Sequence, residues 1–217
     1  MADVLDRLAG LSPERRRLLE MRLRMQQERA AGPALRPRAR PDGTAPLSHA
    51  QARLWVLDRM DPGSAAYDMP HPLRISGALD AEALGRALDA LRARHEALRT
   101  TIEEREGGPV QVIHPPDARP LPVTDLSALP AGEREAEVRR RIDADANTGF
   151  DLVRGPLVRA ELLRLGPGEH VLLLCMHHVV SDGWSMGVFA RELGALYAAL
   201  REGREPHLPP LPVQYAD

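Results

Sequence analysis

Val171-Leu172-Leu173-Leu174-Cys175-Met176-His177-His178-Val179-Val180-Ser181-Asp182-Gly183 decides how the rest of this chain is read. An apolar run of that length and continuity predicts a central strand covered on both faces. It ends in two histidines, a carboxylate and a glycine, where a buried strand has to break into a loop. Successive side chains on a strand point to opposite faces, so His177 and His178 cannot readily serve one site together. One is expected to face a core and the other a cleft. That asymmetry points to a single catalytic or polar-contact histidine and argues against an adjacent-histidine metal site; no metal is expected.

Outward from this run, Trp184–Arg201 reads as a helix with Phe189, Leu193, Leu196 and Leu200 along one side, and its partly positive N-terminus falls beside the histidines. Upstream, Leu157–Leu165 is a second strand, joined to the first through Gly166-Pro167-Gly168. Glu133–Asn147 reads as a charged helix with Val138, Ile142 and Ala146 as its apolar stripe. Thr101–Arg105 and Val110–Ile113 flank Glu106-Gly107-Gly108-Pro109, a hairpin signal with two glycines able to take positive φ. The leucines at 84, 88, 91 and 98 predict a helix over Asp80–Arg99, with Asp80 as its N-cap. Leu73–Ser76 is short and extended, and Ser48–Met60 is helical. Gly32–Pro46 is rich in Pro, Arg and Gly and reads as a linker. Ser12-Pro13 opens a leading helix that carries Leu18, Leu19 and Leu23 to about Ala31. Helices alternating with strands, together with a hairpin, predict an α/β (α+β) fold in which a mixed β-sheet is covered by helices.

The chain has 217 residues, 43% hydrophobic, and a formal net charge of -2. Its basic residues are all arginine, interleaved with acids, which disfavours a nucleic-acid surface. Cys175 alone represents cysteine, inside the apolar strand, so no disulfide framework is available and a reducing compartment is expected. No segment has the length or apolarity of a secretory or membrane-spanning stretch, and a cytoplasmic location without membrane attachment is the expectation.

Met176 to Ser185, with His177-His178-Val179-Val180-Ser181-Asp182-Gly183 at its centre, resembles the central signature of the condensation domains of nonribosomal peptide synthetases. Two further motifs of that family stand in the right order. Ser48 to Leu57 matches Ser-x-Ala-Gln-x-Arg-Leu-Trp-x-Leu at every fixed position, and Arg94-His95-Glu96-Ala97-Leu98-Arg99-Thr100-Thr101-Ile102 matches the second except that Ile102 replaces an aromatic residue. Tyr215-Ala216-Asp217 is similar to the opening of the fourth. The resemblance covers about Pro46 to Asp217.

The resemblance implies a chloramphenicol acetyltransferase-like fold of two lobes with the active site between them. This chain is expected to be the N-terminal lobe over 47–217, cut off at the start of the fourth motif, with 32–46 a linker and 1–31 a helical linker or docking segment for an upstream synthase subunit. The implied reaction is amide formation: an amine on a downstream carrier attacks a thioester on an upstream carrier, both substrates hanging on phosphopantetheine arms in a tunnel. No cofactor is expected on the chain itself. Catalytic roles fall to His178, either as base or as a positioning group, and to Gly183, whose N–H is an oxyanion contact. His177 is expected to hold the loop. Asp182 is expected in a buried ion pair with Arg99, or secondarily with Arg94, and Ser181, Trp184 and Ser185 along the tunnel. Heterocyclising relatives carry an aspartate pattern absent here, epimerising ones place tryptophan soon after the serine where this chain has Met186, and the Arg53-Leu54-Trp55 form resembles the subtype taking an L-configured donor. The lobe alone is expected to be inactive. Competing readings are a noncatalytic docking or recruitment module and a stand-alone trimeric, CoA-dependent acyltransferase.

Overall fold

The computed structural model describes residues 35–217; the expected leading helix and docking segment lie outside them. The histidine run ends β8 (Glu169–His177), which is antiparallel to β7 (Val158–Gly166) along one edge. Along its other edge it pairs antiparallel with β3 (Leu73–Ser76) and then with β2 (Asp68–Pro70). β6 (Val123–Asp125) adds to β7 in parallel, so this five-stranded sheet is mixed, as expected. A second sheet was not anticipated: β4 (Thr100–Arg105) and β5 (Gly108–Ile113) form the expected hairpin, and β1 (Thr44–Pro46) pairs with β5. Gly107 and Gly108 both have positive φ, at 101° and 119°, which is why the turn needs two glycines.

Strand β1 corrects the reading of 32–46 as linker throughout, because its last three residues are ladder-bonded. Helix α1 (His49–Met60) starts at the Ser48 N-cap in a capping box with Gln51. Helix α2 (Ala81–Arg94) is capped by Asp80 as expected, but it stops at Arg94. His95 leaves helical geometry and Glu96–Arg99 form a 3₁₀ turn, so the last predicted helical turn, carrying Leu98, belongs to a separate short element. Helices α3 (Ala131–Ala146) and α4 (Gly183–Arg201) fall within two residues of their sequence-based limits. Among the described residues no helix is long and apolar enough to cross a membrane.

Strand alternation distributes the core. Leu172, Leu174 and Met176 of β8 pack with Leu84, Leu88 and Leu91 of α2 and Phe189, Leu193 and Leu196 of α4. On the opposite face, Val171 and Leu173 meet Val138 of α3, and Cys175 meets Phe150, Leu152, Leu157 and Ile102. Burying such a leucine contributes about 1.5–3 kcal/mol, so β8 is held from both sides along its length.

Beneath this second face, the chain passes itself closely. A Cβ built on Gly149 would lie 1.8 Å from the backbone oxygen of Gly63, which itself has φ +76°. Only glycine fits there, and Gly149 sets the position of Phe150. Gly149→Ala is therefore expected to cost about 2–3 kcal/mol, read as a lower urea midpoint with an unchanged m-value; an unaltered midpoint would show that the two segments separate freely.

Candidate active site

His177 and His178 go to opposite faces, as the period of two demands. His177 is 3% exposed, edge-on to Phe150 with ring centroids 6.2 Å apart, and its Nδ1 accepts the Val179 N–H at 3.0 Å. Burial, and then the neighbouring His178, push its pKa down to about 4, so it is a neutral spacer at ordinary pH. His178 is exposed on the other face, and its Nδ1 donates to the Ser181 carbonyl at 2.8 Å. A carbonyl only accepts, so this bond fixes the Nδ1–H tautomer and leaves the Nε2 lone pair outward. Adjacent histidines are thus held in opposite tautomers by their own loop.

His178 lines a cavity of about 790 Å³ together with Tyr67, Met176, Leu54, Leu98 and Phe189. Ser181, Trp184 and Ser185, the three residues expected along a tunnel, also line this cavity, and so does Asp182. Trp184 is 85% exposed at this site. Gly183 is not on the wall, its φ is not left-handed, and a Cβ there would meet nothing within 4 Å. Its distinguishing asset is its N–H in the first turn of α4, where the macrodipole is positive.

The expected Arg99–Asp182 pair is not formed. Asp182 is the N-cap of α4: its Oδ1 accepts the Ser185 N–H at 2.7 Å, while Ser185 Oγ accepts the Asp182 N–H at 2.8 Å. The Ser185 amide, more than the nearby His178, holds the Asp182 carboxyl below its ordinary value. Arg99 turns the other way, donating to the His114 carbonyl and lying 3.8 Å from Glu96. Arg94, the second expected partner, instead donates its Nε to Glu192 at 3.0 Å and an Nη to the Pro209 carbonyl at 2.6 Å. Each arginine has taken the acceptor nearest in space, and the cap has taken Asp182.

Four residues to which the sequence reading gave no role contribute here. Gln51 is 2% exposed; its Nε2 donates to Gln111 of β5 and to the Val179 carbonyl at 3.1 and 3.2 Å, tying the histidine loop to the second sheet. The signal was a polar residue at a fixed motif position among apolar ones. Glu192 and His95 form a 2.7 Å contact at the cavity wall, a pairing that residues 97 apart in sequence cannot announce. Arg40, inside the supposed linker, bridges Glu96 at 2.6 Å and Asp217.

A family model described as the condensation domain matches residues 42–217. The chain belongs to the condensation domain family. This condensation domain chain is 53% identical over 172 residues to chondramide synthase cmdD of Chondromyces crocatus, covering 79% of the chain and 4% of that protein. It is 45% identical over 217 residues, its full length, to phosphinothricin tripeptide synthetase PhsC of Streptomyces viridochromogenes, and covers 20% of that protein. Among solved structures, the first condensation domain of the CDA synthetase matches with a TM-score of 0.67 at 34% identity, over 76% of this chain and 42% of that one. The starter condensation domain of rhizomide synthetase RzmA matches with a TM-score of 0.70 at 27% identity, over 78% and 41%. The fold is the expected chloramphenicol acetyltransferase-like one, and the chain covers one lobe of it, less than half the length of these solved domains.

Two measurements check the geometry. Asp182→Ala is expected to cost about 1 kcal/mol, the worth of an N-cap, instead of the roughly 3–5 kcal/mol of a broken buried ion pair. Combined with Arg99→Ala it should be additive to within about 0.5 kcal/mol; strong coupling would restore the ion pair.

The second concerns Asp68, which stands opposite His177 in the β2–β8 register. Its side chain is 0% exposed, 3.9 Å from Arg159, and neither carboxylate oxygen has a hydrogen-bond partner among the described residues. Burial, only partly offset by Arg159, raises its pKa to about 6. A raised carboxyl binds its proton more readily when folded, so its contribution grows as pH falls through about 6 toward the ordinary 3.8. The depressed His177 does the opposite: its contribution is complete above 6.5 and is lost as pH falls toward about 4. Asp68→Asn is expected to be more stable than the parent at pH 7 and to lose more stability on acidification through this window. Parallel pH–stability curves would refute the assignment.

Proposed function

We propose that this chain is the histidine-bearing lobe of a domain that forms an amide between an acyl or peptidyl thioester on one carrier protein and the amine of an aminoacyl group on another. The observation that carries this reading is His178: a ring locked by its own loop, with a lone pair on Nε2, on the wall of a cavity that has room for extended substrates.

In the reaction the amine nitrogen attacks the thioester carbonyl carbon. The N–C bond forms and the carbonyl π pair moves to oxygen, while His178 Nε2 either takes the amine proton as general base or orients the amine by accepting a hydrogen bond from it. The oxyanion then re-forms the carbonyl, the C–S bond breaks, and the departing sulfur takes up the proton. The positive end of α4, where Gly183 carries the first N–H of the helix, supports the oxyanion through its field. His177 and Asp182 shape the loop without exchanging protons with substrate. The mostly apolar wall suits pantetheine arms, which the carriers bring with them, and the Arg53-Leu54-Trp55 motif favours an L-configured donor.

The partners on this reading are an upstream donor carrier, a downstream acceptor carrier and the second lobe, with residues 1–31 as a docking element for an upstream subunit. The setting is the cytoplasm, and the lobe alone is inert because the opposite tunnel wall supplies much of the positioning. In the full-length synthetase, His178→Ala is expected to slow single-turnover peptide transfer by about 10²-fold or more with an unchanged melting temperature. Transfer at the parental rate would remove His178 as the group on which the reaction depends.

A further inference from the structure

The cavity that presents His178 has a second imidazole in its wall, His95. His95 sits where α2 ends, and its backbone has already left helical geometry, which frees the side chain from the helix surface. Its Nε2 lies 2.7 Å from Glu192 Oε2, and the same oxygen accepts Arg94 Nε at 3.0 Å. Burial pushes the Glu192 pKa up, but the hydrogen bonds from His95 and Arg94 outweigh it, so the group stays a carboxylate below its ordinary value. A carboxylate accepts only, so the proton of this contact sits on His95 Nε2 and Nδ1 is the ring nitrogen left for another partner.

Arg94 is itself fixed twice more, by its guanidinium on the Pro209 carbonyl and by its own carbonyl, which accepts Gln214 Nε2 at 2.9 Å. The anchor of the ring is therefore rigid. Nδ1, by contrast, has no hydrogen-bond partner among the described residues, and the side chain is 24% exposed. A ring held this firmly on one side and left open on the other is built to receive a donor.

We propose that His95, oriented by Glu192, is a second substrate contact in this cavity, accepting a hydrogen bond through Nδ1 from an N–H group of the carrier-tethered substrate. This rests on the reading that the cavity takes such substrates. Two groups have the required chemistry, the amide N–H of the pantetheine arm and the amine of the aminoacyl unit. His95 differs from His178 in its brace: its ring is held by the Glu192 carboxylate of α4, that of His178 by a carbonyl of its own loop.

The test is a long-range ¹H–¹⁵N correlation of histidine ring nitrogens in the 217-residue chain, titrated with pantetheine and, separately, with S-(2-aminoethyl)pantetheine, a stable thioether that adds an amine and no further amide. The expected result is an upfield shift of His95 Nδ1 with Nε2 unmoved, and a weakening of binding of about two- to tenfold in His95→Phe. Glu192→Gln, which keeps an acceptor for the ring, is expected to lower affinity less than His95→Phe and serves if that variant does not fold. Response to pantetheine identifies the arm amide as donor, and response to the aminoethyl thioether alone identifies the amine. If His178 responds while His95 Nδ1 is silent, or if His95→Phe and Glu192→Gln both bind as the parent does, the inference fails and the reading of the cavity stands. If neither ring responds, both fall.

Discussion

Because β8 is hydrogen-bonded along both edges and covered on both faces, its polar residues are confined to its ends, and the register of its neighbours decides which face each end presents. Val158 stands opposite Met176 and Asp68 opposite His177, which directs His177 into the Phe150 cluster and His178 into the cavity. A slip of one residue would exchange them, burying the histidine with the free lone pair. The apolar side chains on both faces make that slip expensive, since Leu172, Leu174 and Met176 would trade places with Val171, Leu173 and Cys175 against cores of different shape. The placement of His178 on the cavity wall is in this sense a consequence of packing several residues away.

The loop after β8 works with few atoms. The Val179 N–H satisfies His177, the Val179 carbonyl is taken by Gln51, and the Ser181 carbonyl orients His178. Gln51 also caps its own helix, accepting the Ser48 N–H at 3.0 Å, and reaches Gln111 in the second sheet. Two motifs more than a hundred residues apart thus meet through one buried amide with its donors and acceptor engaged, which is how such groups are normally found.

Features encoded locally were legible in the sequence. The continuous apolar run of β8, the Asp80 cap and the Gly107-Gly108 turn all appear where the pattern placed them. Three-residue strands such as β1, β2 and β6 carry too few positions to show a period, and two of them end in proline. The end of α2 at Arg94 has no glycine or proline to mark it. Charge partners were the least legible: Arg94 and Arg99 had a choice of carboxylates and carbonyls, and which one lies within reach is settled only after the fold has formed. Asp182 illustrates the same point from the acid's side, since a backbone cap three residues away is always available to a residue that starts a helix.

On the proposed reading, the exposure of Trp184 acquires a physical sense. Stabilisation of an oxyanion by backbone N–H groups gains when water is kept away. The wall carrying His178 is largely apolar but open, and a tryptophan 85% exposed at that wall is a poor arrangement for a surface and a good one for a seam. Closure by a second lobe would cover it and lower the dielectric around His178 at the same time. Binding of the two lobes and activation of the site would then share one source of free energy, so that truncating Trp184 would weaken both, whereas losing the His178 ring would affect only the chemistry.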